Sequence, residues 1–148
     1  MATEGILIIN SEINAGLHIK AYLKSMGHTK ILLAENLQDG KRILSERGEE
    51  IFLVLLGLVF ADGYGLSLME SLVHSHPYII GIIVITADAD PEVEKYFYQL
   101  ATERIVAAGY QLQPINITEL SDLVKSTLEL IATKRSTQST LAQDQGGV

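Results

Sequence analysis

The residues equipped for chemistry in this sequence are few, and they gather where apolar runs end. Ile6–Ile9 is followed by Asn10, Ser11 and Glu12, and Ile51–Leu56 by Gly57. The run from Ile79 ends in Thr86, and Gln113 stands directly before Pro114. Amides, hydroxyls and one carboxylate can hydrogen-bond a ligand, but a glycine has no side chain with which to attack a donor. Downstream of Gly57, Asp62 belongs to an Asp-Gly pair whose turn preference already accounts for it. Ser67 and Thr86 carry hydroxyls open to a serine/threonine kinase, although a strand-end hydrogen bond is the simpler role for Thr86. His74-Ser75-His76 brings two imidazoles close together, but a metal would need further ligands, and the segment reads as a solvated helix-to-strand turn. Gly63-Tyr64-Gly65 lacks the third glycine and the strand-to-helix setting of a dinucleotide cradle.

The elements that must position these residues follow from periodicity. Ile6–Ile9, Ile31–Ala34, Ile51–Leu56 and Ile79–Thr86 are short apolar runs of the kind buried on both faces of a sheet, and Tyr110–Gln113 is a weaker fifth. Between them run helical patterns. Ala15, Ile19, Tyr22, Leu23 and Met26 share one face, with Gly27 as the stop. Asn36 caps a second helix bearing Leu37, Ile43 and Leu44, and a third runs from about Leu66 to His74. Asp90-Pro91-Glu92 opens a fourth that continues through Leu100. Asn116 and Glu119 form a capping box for a fifth, whose face is Leu120, Leu123, Val124, Thr127, Leu128 and Ile131. The periodicity stops after Lys134. This gives a domain over residues 1–133 and a flexible C-terminal tail over 134–148.

Strands alternating with helices predict an α/β doubly wound, five-stranded parallel sheet with strand order 2-1-3-4-5. In such sheets ligands sit outside the C-terminal strand ends, at the switch between strands 1 and 3. That rule gathers Asn10, Gly57, Thr86 and Gln113 at one place.

The bulk numbers narrow the classes. A chain of 148 residues, 47% hydrophobic and 20% charged, is globular and long enough for its own core. Its apolar runs are too short to span a bilayer, the N-terminus lacks the basic region of a signal peptide, and no cysteine is present. A cytoplasmic location is therefore expected. A formal charge of −7 opposes binding to a phosphate backbone, so nucleic acid is not an expected partner, nor is a membrane.

Through Ile51–Gly65 above all, residues 5–133 are identified as similar to the receiver domain of two-component response regulators, the CheY-like family. The loop Ala61-Asp62-Gly63-Tyr64-Gly65 resembles the family's Pro-Asp-Gly-x-Gly turn. Where the family ends strand 1 in two acids followed by Glu, this chain has Asn10-Ser11-Glu12, and where it carries the acceptor Asp this chain has Gly57. Thr86-Ala87 matches the Thr/Ser-Ala pair that senses the phosphoryl group, and Tyr110 the aromatic switch. Gln113-Pro114 replaces Lys-Pro. The segment from Thr86 to Gln113 is several residues longer than the family pattern, with the extra length expected around Ala101 to Ala108.

The resemblance implies an atypical receiver whose phosphorylation pocket (Asn10, Ser11, Glu12, Gly57, Thr86, Gln113) is vestigial, with Thr86 and Tyr110 switch-like. No catalytic residue, metal or cofactor is expected, because Mg²⁺ needs hard oxygen ligands and a transferred phosphoryl group needs a fixed cation. Tyr96, Phe97 and Tyr98 are consecutive on a helix and cannot all face the core, so at least one is a candidate interface residue. The expected function is protein–protein interaction in two-component signalling. The partner would be a histidine kinase or another two-component protein, or a second copy through helix 4, strand 5 and helix 5. The alternatives are a small-ligand-binding flavodoxin-like protein and a regulator phosphorylated at a non-standard residue.

Overall fold

A computed structural model describes residues 4–146, with side chains described as far as Gln138. The elements in chain order are β1 (Gly5–Ile9), α1 (Ile13–Ser25), β2 (Ile31–Ala34), α2 (Leu37–Arg47), β3 (Ile51–Leu56), β4 (Val59–Phe60) and β5 (Gly63–Tyr64). They continue with α3 (Gly65–Ser75), β6 (Ile80–Thr86), α4 (Pro91–Leu100), β7 (Ile105–Leu112) and α5 (Ile117–Gly146). The main sheet has the order β2-β1-β3-β6-β7, every pair parallel. This is the expected 2-1-3-4-5 arrangement of an α/β doubly wound sheet. The four-residue stretch Ile6–Ile9 is almost wholly buried because both faces of the sheet are covered. One apolar layer holds Leu7, Val54 and Ile82 with α2, α3 and α4, and the other holds Ile6, Leu53 and Ile83 with α1 and α5.

The caps form where the sequence places them. Asn36, Asp90 and Asn116 each accept a backbone N–H from the first turn of α2, α4 and α5. Asp62 adds a cap in trans, its carboxylate accepting from the N–H groups of Leu37 and Gln38 at 3.2 and 3.0 Å. These two bonds hold its carboxyl below the usual range, the Gln38 bond contributing most. The loop after β3 is not irregular. Val59–Phe60 and Gly63–Tyr64 pair as a small antiparallel hairpin. At its foot Gly65 donates to Leu58 O at 2.6 Å, and a Cβ on Gly65 would collide with the Gly57 carbonyl oxygen.

Three expectations need correction. The fifth strand begins at Ile105, not Tyr110, so much of the extra length expected over Ala101 to Ala108 lies in strand. Ala108 is a bulge there, because Ile82 pairs with Ala107 and Ile83 with Gly109. The small residues Ala107, Ala108 and Gly109 carry little strand preference, but Gly109 lets α5 lie close. A Cβ at Gly109 would strike the Leu123 side chain. His76 is not solvated but only 4% exposed, packed edge-on to Tyr78 at 5.7 Å.

The helix expected to give way to a flexible tail at residue 134 continues to Gly146, residues 147–148 lying outside the described residues. The segment lacks an amphipathic pattern but also lacks proline, so nothing in it breaks a helix. Arg135 fastens the helix at that point. Its guanidinium donates to Ile79 O, Glu49 O and Ile51 O at 2.7, 2.6 and 2.7 Å and lies 3.9 Å from the Phe52 ring centroid.

Candidate functional site

The C-terminal ends of β1, β3 and β6 and the residue after β7 converge on one cavity of about 410 Å³. It is lined by Asn10, Ser11, Glu12, Gly57, Thr86 and Gln113 together with Leu58, Val59, Ile85, Ala87 and Asp88. All six residues assigned to this place from sequence thus meet there. The sheet register brings them together: Gly57 N–H donates to Ile9 O at 2.9 Å, and Gln113 N–H to Thr86 O at 2.8 Å.

Each polar group has a definite role. Asn10 is buried, and its Oδ1 accepts from the Glu12 N–H at 2.8 Å, turning the chain into α1. Thr86 is buried, and its Oγ1 accepts from the Asp88 N–H at 3.0 Å. Gly57 occupies the floor. A Cβ built there would meet Ile9 O and the Phe60 ring at 3.4 Å, an ordinary contact, so the backbone does not demand glycine at this position. Phe60, from the β4–β5 hairpin, is therefore the side chain nearest the point from which a residue at 57 would project.

Asp88 is the lining acid that sequence reasoning missed; its only signal was its place just after the Thr86-Ala87 pair. With Glu12 it makes two carboxylates, and no Lys or Arg lines the cavity. The nearby field is accordingly negative. Tyr110 donates its hydroxyl to Asp88 O at 2.9 Å, and burial, then Asp88 and further neighbours including Asp90, push its phenol up to about 12. Tyr64 is raised likewise, by burial and then by Asp88 and Asp90.

No metal is expected here from the sequence, and the donor set can be tested for Mg²⁺. Asn10 Oδ1 already accepts a backbone bond, and Glu12 and Asp88 are exposed on separate elements. No group of three or more His, Asp or Glu able to hold a metal occurs among the described residues. The set does not fit a tightly held divalent ion.

The aromatic run on α4 divides. Phe97 is fully buried, its ring 6.1 Å from that of Tyr110 and 4.9 Å from that of Tyr98. Tyr96 and Tyr98 are 42% and 43% exposed, but Tyr96 donates its hydroxyl to Glu70 Oε1 on α3 at 2.9 Å. The three therefore do not make one patch.

Comparison with known proteins adds the fold relationship. No protein-family model matches the sequence, and no curated protein matches it. Solved structures do. The signal receiver domain of an HD domain-containing protein from Pseudomonas fluorescens Pf-5 superposes with a TM-score of 0.78 at 19% identity, covering 92% of this chain and 94% of that one. A CheY-like response regulator receiver domain protein from Methanospirillum hungatei JF-1 gives 0.76 at 21% identity, covering 88% and 98%. A two-component response regulator from Clostridium difficile gives 0.73 at 21%, covering 85% and 96%. The fold is that of a receiver domain. At these identities the fold is what is shared, and the receiver fold places the cavity at the end of the sheet where open α/β sheets bind ligands. No helix among the described residues is long and apolar enough to cross a membrane.

Proposed function

We propose that this chain is an atypical receiver of two-component signalling that acts by binding another protein, without aspartyl phosphorylation and without enzymatic activity. The observation that carries the reading is Gly57, which lines the floor of the strand-end cavity and has no side chain. The lining supports it further. Glu12 and Asp88 face an incoming phosphoryl group with negative charge, and no lysine or arginine offsets it. Thr86 and Tyr110 are engaged by Asp88, through its N–H and its carbonyl, which favours one standing conformation for the pair. A partner then has to select that conformation rather than induce it.

The proposed contact face is that of α4, β7 and α5, used with a second copy or with a two-component protein such as a histidine kinase. Exposed Tyr98 supports it, whereas Tyr96 is partly committed to Glu70. A contact of ordinary size needs ~800 Å² per partner with an aromatic near its centre. Tyr98→Ala should weaken association in sedimentation or pull-down more than Tyr96→Ala. Leu17→Ala, exposed on α1 and so on none of these three elements, should leave it unchanged; if only the α1 variant loses binding, the face is misassigned.

One observation favours a second reading, phosphorylation at a non-standard residue. Asp88 is an exposed carboxylate lining the same cavity. Phosphate-affinity electrophoresis after incubation with a small phosphodonor decides it. No shifted band supports the first reading, and a band abolished by Asp88→Asn supports the second.

A further inference from the structure

At the opposite end of the sheet lies a larger cleft. It occupies about 710 Å³ between the end of α3, the α4–β7 turn and the later turns of α5. Volumes of roughly 300–1,000 Å³ are those of small-molecule pockets. Its apolar lining comes from Val73 and Ile79, and its cations are Arg104 and Lys134. Thr133, Thr137 and Gln138 add hydroxyls and an amide, and Glu103 is the one acid. From Ile80 to Thr86 along β6, the cleft stands about 20 Å from the strand-end cavity, at ~3.3 Å per residue.

The two cations of the cleft, like most of the chain's basic residues, stand outside the ion pairs of the described residues. Those pairs use Lys30, Arg42 and Arg47. Arg104 makes one long side-chain bond, to Val73 O at 3.3 Å, and its buried Nε–H finds no acceptor. A buried donor left unpaired carries a desolvation cost that an anion nearby would offset.

We propose that this cleft binds a small amphiphilic anion, a carboxylate or phosphate monoester on a short apolar body. The charged head sits between Arg104 and Lys134, and the apolar body lies on Val73 and Ile79. The site is independent of the signalling reading above and would stand if that reading failed.

The test is a titration of the full chain followed through its backbone amide resonances, with hexanoate, inorganic phosphate and hexyltrimethylammonium as separate probes. Hexanoate should give saturable shifts at Val73, Ile79, Arg104, Thr133 and Thr137, with Kd near or below about 1 mM. Hexyltrimethylammonium should give none there, and phosphate should bind more weakly than hexanoate. Lys134→Gln should weaken hexanoate at least about fivefold, the effect of losing one charge-assisted contact. Arg104→Gln should do the same if it folds, and Lys134→Gln decides the matter if it does not. Shifts that fail to saturate, shifts centred on Thr86 and Gln113, equal affinity for phosphate and hexanoate, or a Lys134→Gln variant that binds like wild type would each overturn the proposal.

Discussion

Arg135→Met removes a single guanidinium and should cost this small domain a large part of its stability. Three carbonyls lose a donor, and they are not equivalent. Ile79 and Ile51 are 8% and 0% exposed, so water replaces the lost bond poorly at both, whereas Glu49 is exposed and its carbonyl rehydrates. Each poorly rehydrated acceptor of a charged donor accounts for ~1.5–3 kcal/mol. Stacking on Phe52 adds about 0.5–1 kcal/mol, and relief from desolvating the guanidinium, which holds the group below its usual range, offsets part. The net expectation is a loss of about 3 kcal/mol, or roughly 10 °C in Tm for a chain of this size. Urea unfolding followed by circular dichroism measures it. Arg135→Lys should recover less than half, because an ammonium cannot span three carbonyls as the planar fork does. If Arg135→Met unfolds within about 0.5 kcal/mol of wild type, as surface substitutions generally do, the helix is not fastened in this way.

Other consequences follow from single contacts. Gly65→Ala should destabilise by about 1–3 kcal/mol, since its Cβ meets the Gly57 carbonyl, whereas Gly57→Ala should stay within about 1 kcal/mol of wild type in the same assay. Asp62 has a lowered folded-state pKa, so its contribution is present above the unfolded carboxyl value and lost as pH falls through the folded one. Asp62→Asn should therefore be less stable than wild type at neutral pH, and the gap should close in acid. His76, held at about 4, stays neutral in the fold, while in the unfolded chain the imidazole takes up a proton near the ordinary histidine value of about 6.5. Stability should thus fall as pH drops from 6.5 towards 4, and the His76 imidazole resonances should not titrate above pH 5.5 or so.

The order of the sheet and the membership of the strand-end cavity were legible because both are written locally. Apolar, isoleucine-rich runs such as Ile6–Ile9 and Ile80–Ile85 suit strands buried on both faces, and in a parallel sheet the residue after each falls at the same edge. The caps at Asn36, Asp90 and Asn116 were equally local. What escaped depends on contacts distant in sequence. Ala107-Ala108-Gly109 carries little strand preference of its own, and the close approach of Leu123 on α5 to Gly109 is invisible from the segment itself. Arg135 reaches back to Glu49, Ile51 and Ile79, so the continuation of α5 past Lys134 left no trace in periodicity. Asp88 was missed as a site residue because its role comes from a turn that folds it over Thr86.

Intact-mass measurement of the protein incubated with acetyl phosphate and Mg²⁺ tests the central claim most directly, run beside the Gly57→Asp variant. The cavity floor admits a side chain at 57, so the variant should fold, yet Glu12, Asp88 and Gln113 leave metal and phosphoryl charge uncompensated. No phosphoryl adduct is expected on wild type and none of consequence on Gly57→Asp. An acid-stable mass unchanged in both, with unchanged amide spectra, supports signalling by contact alone. A stoichiometric adduct on the wild-type chain would contradict it.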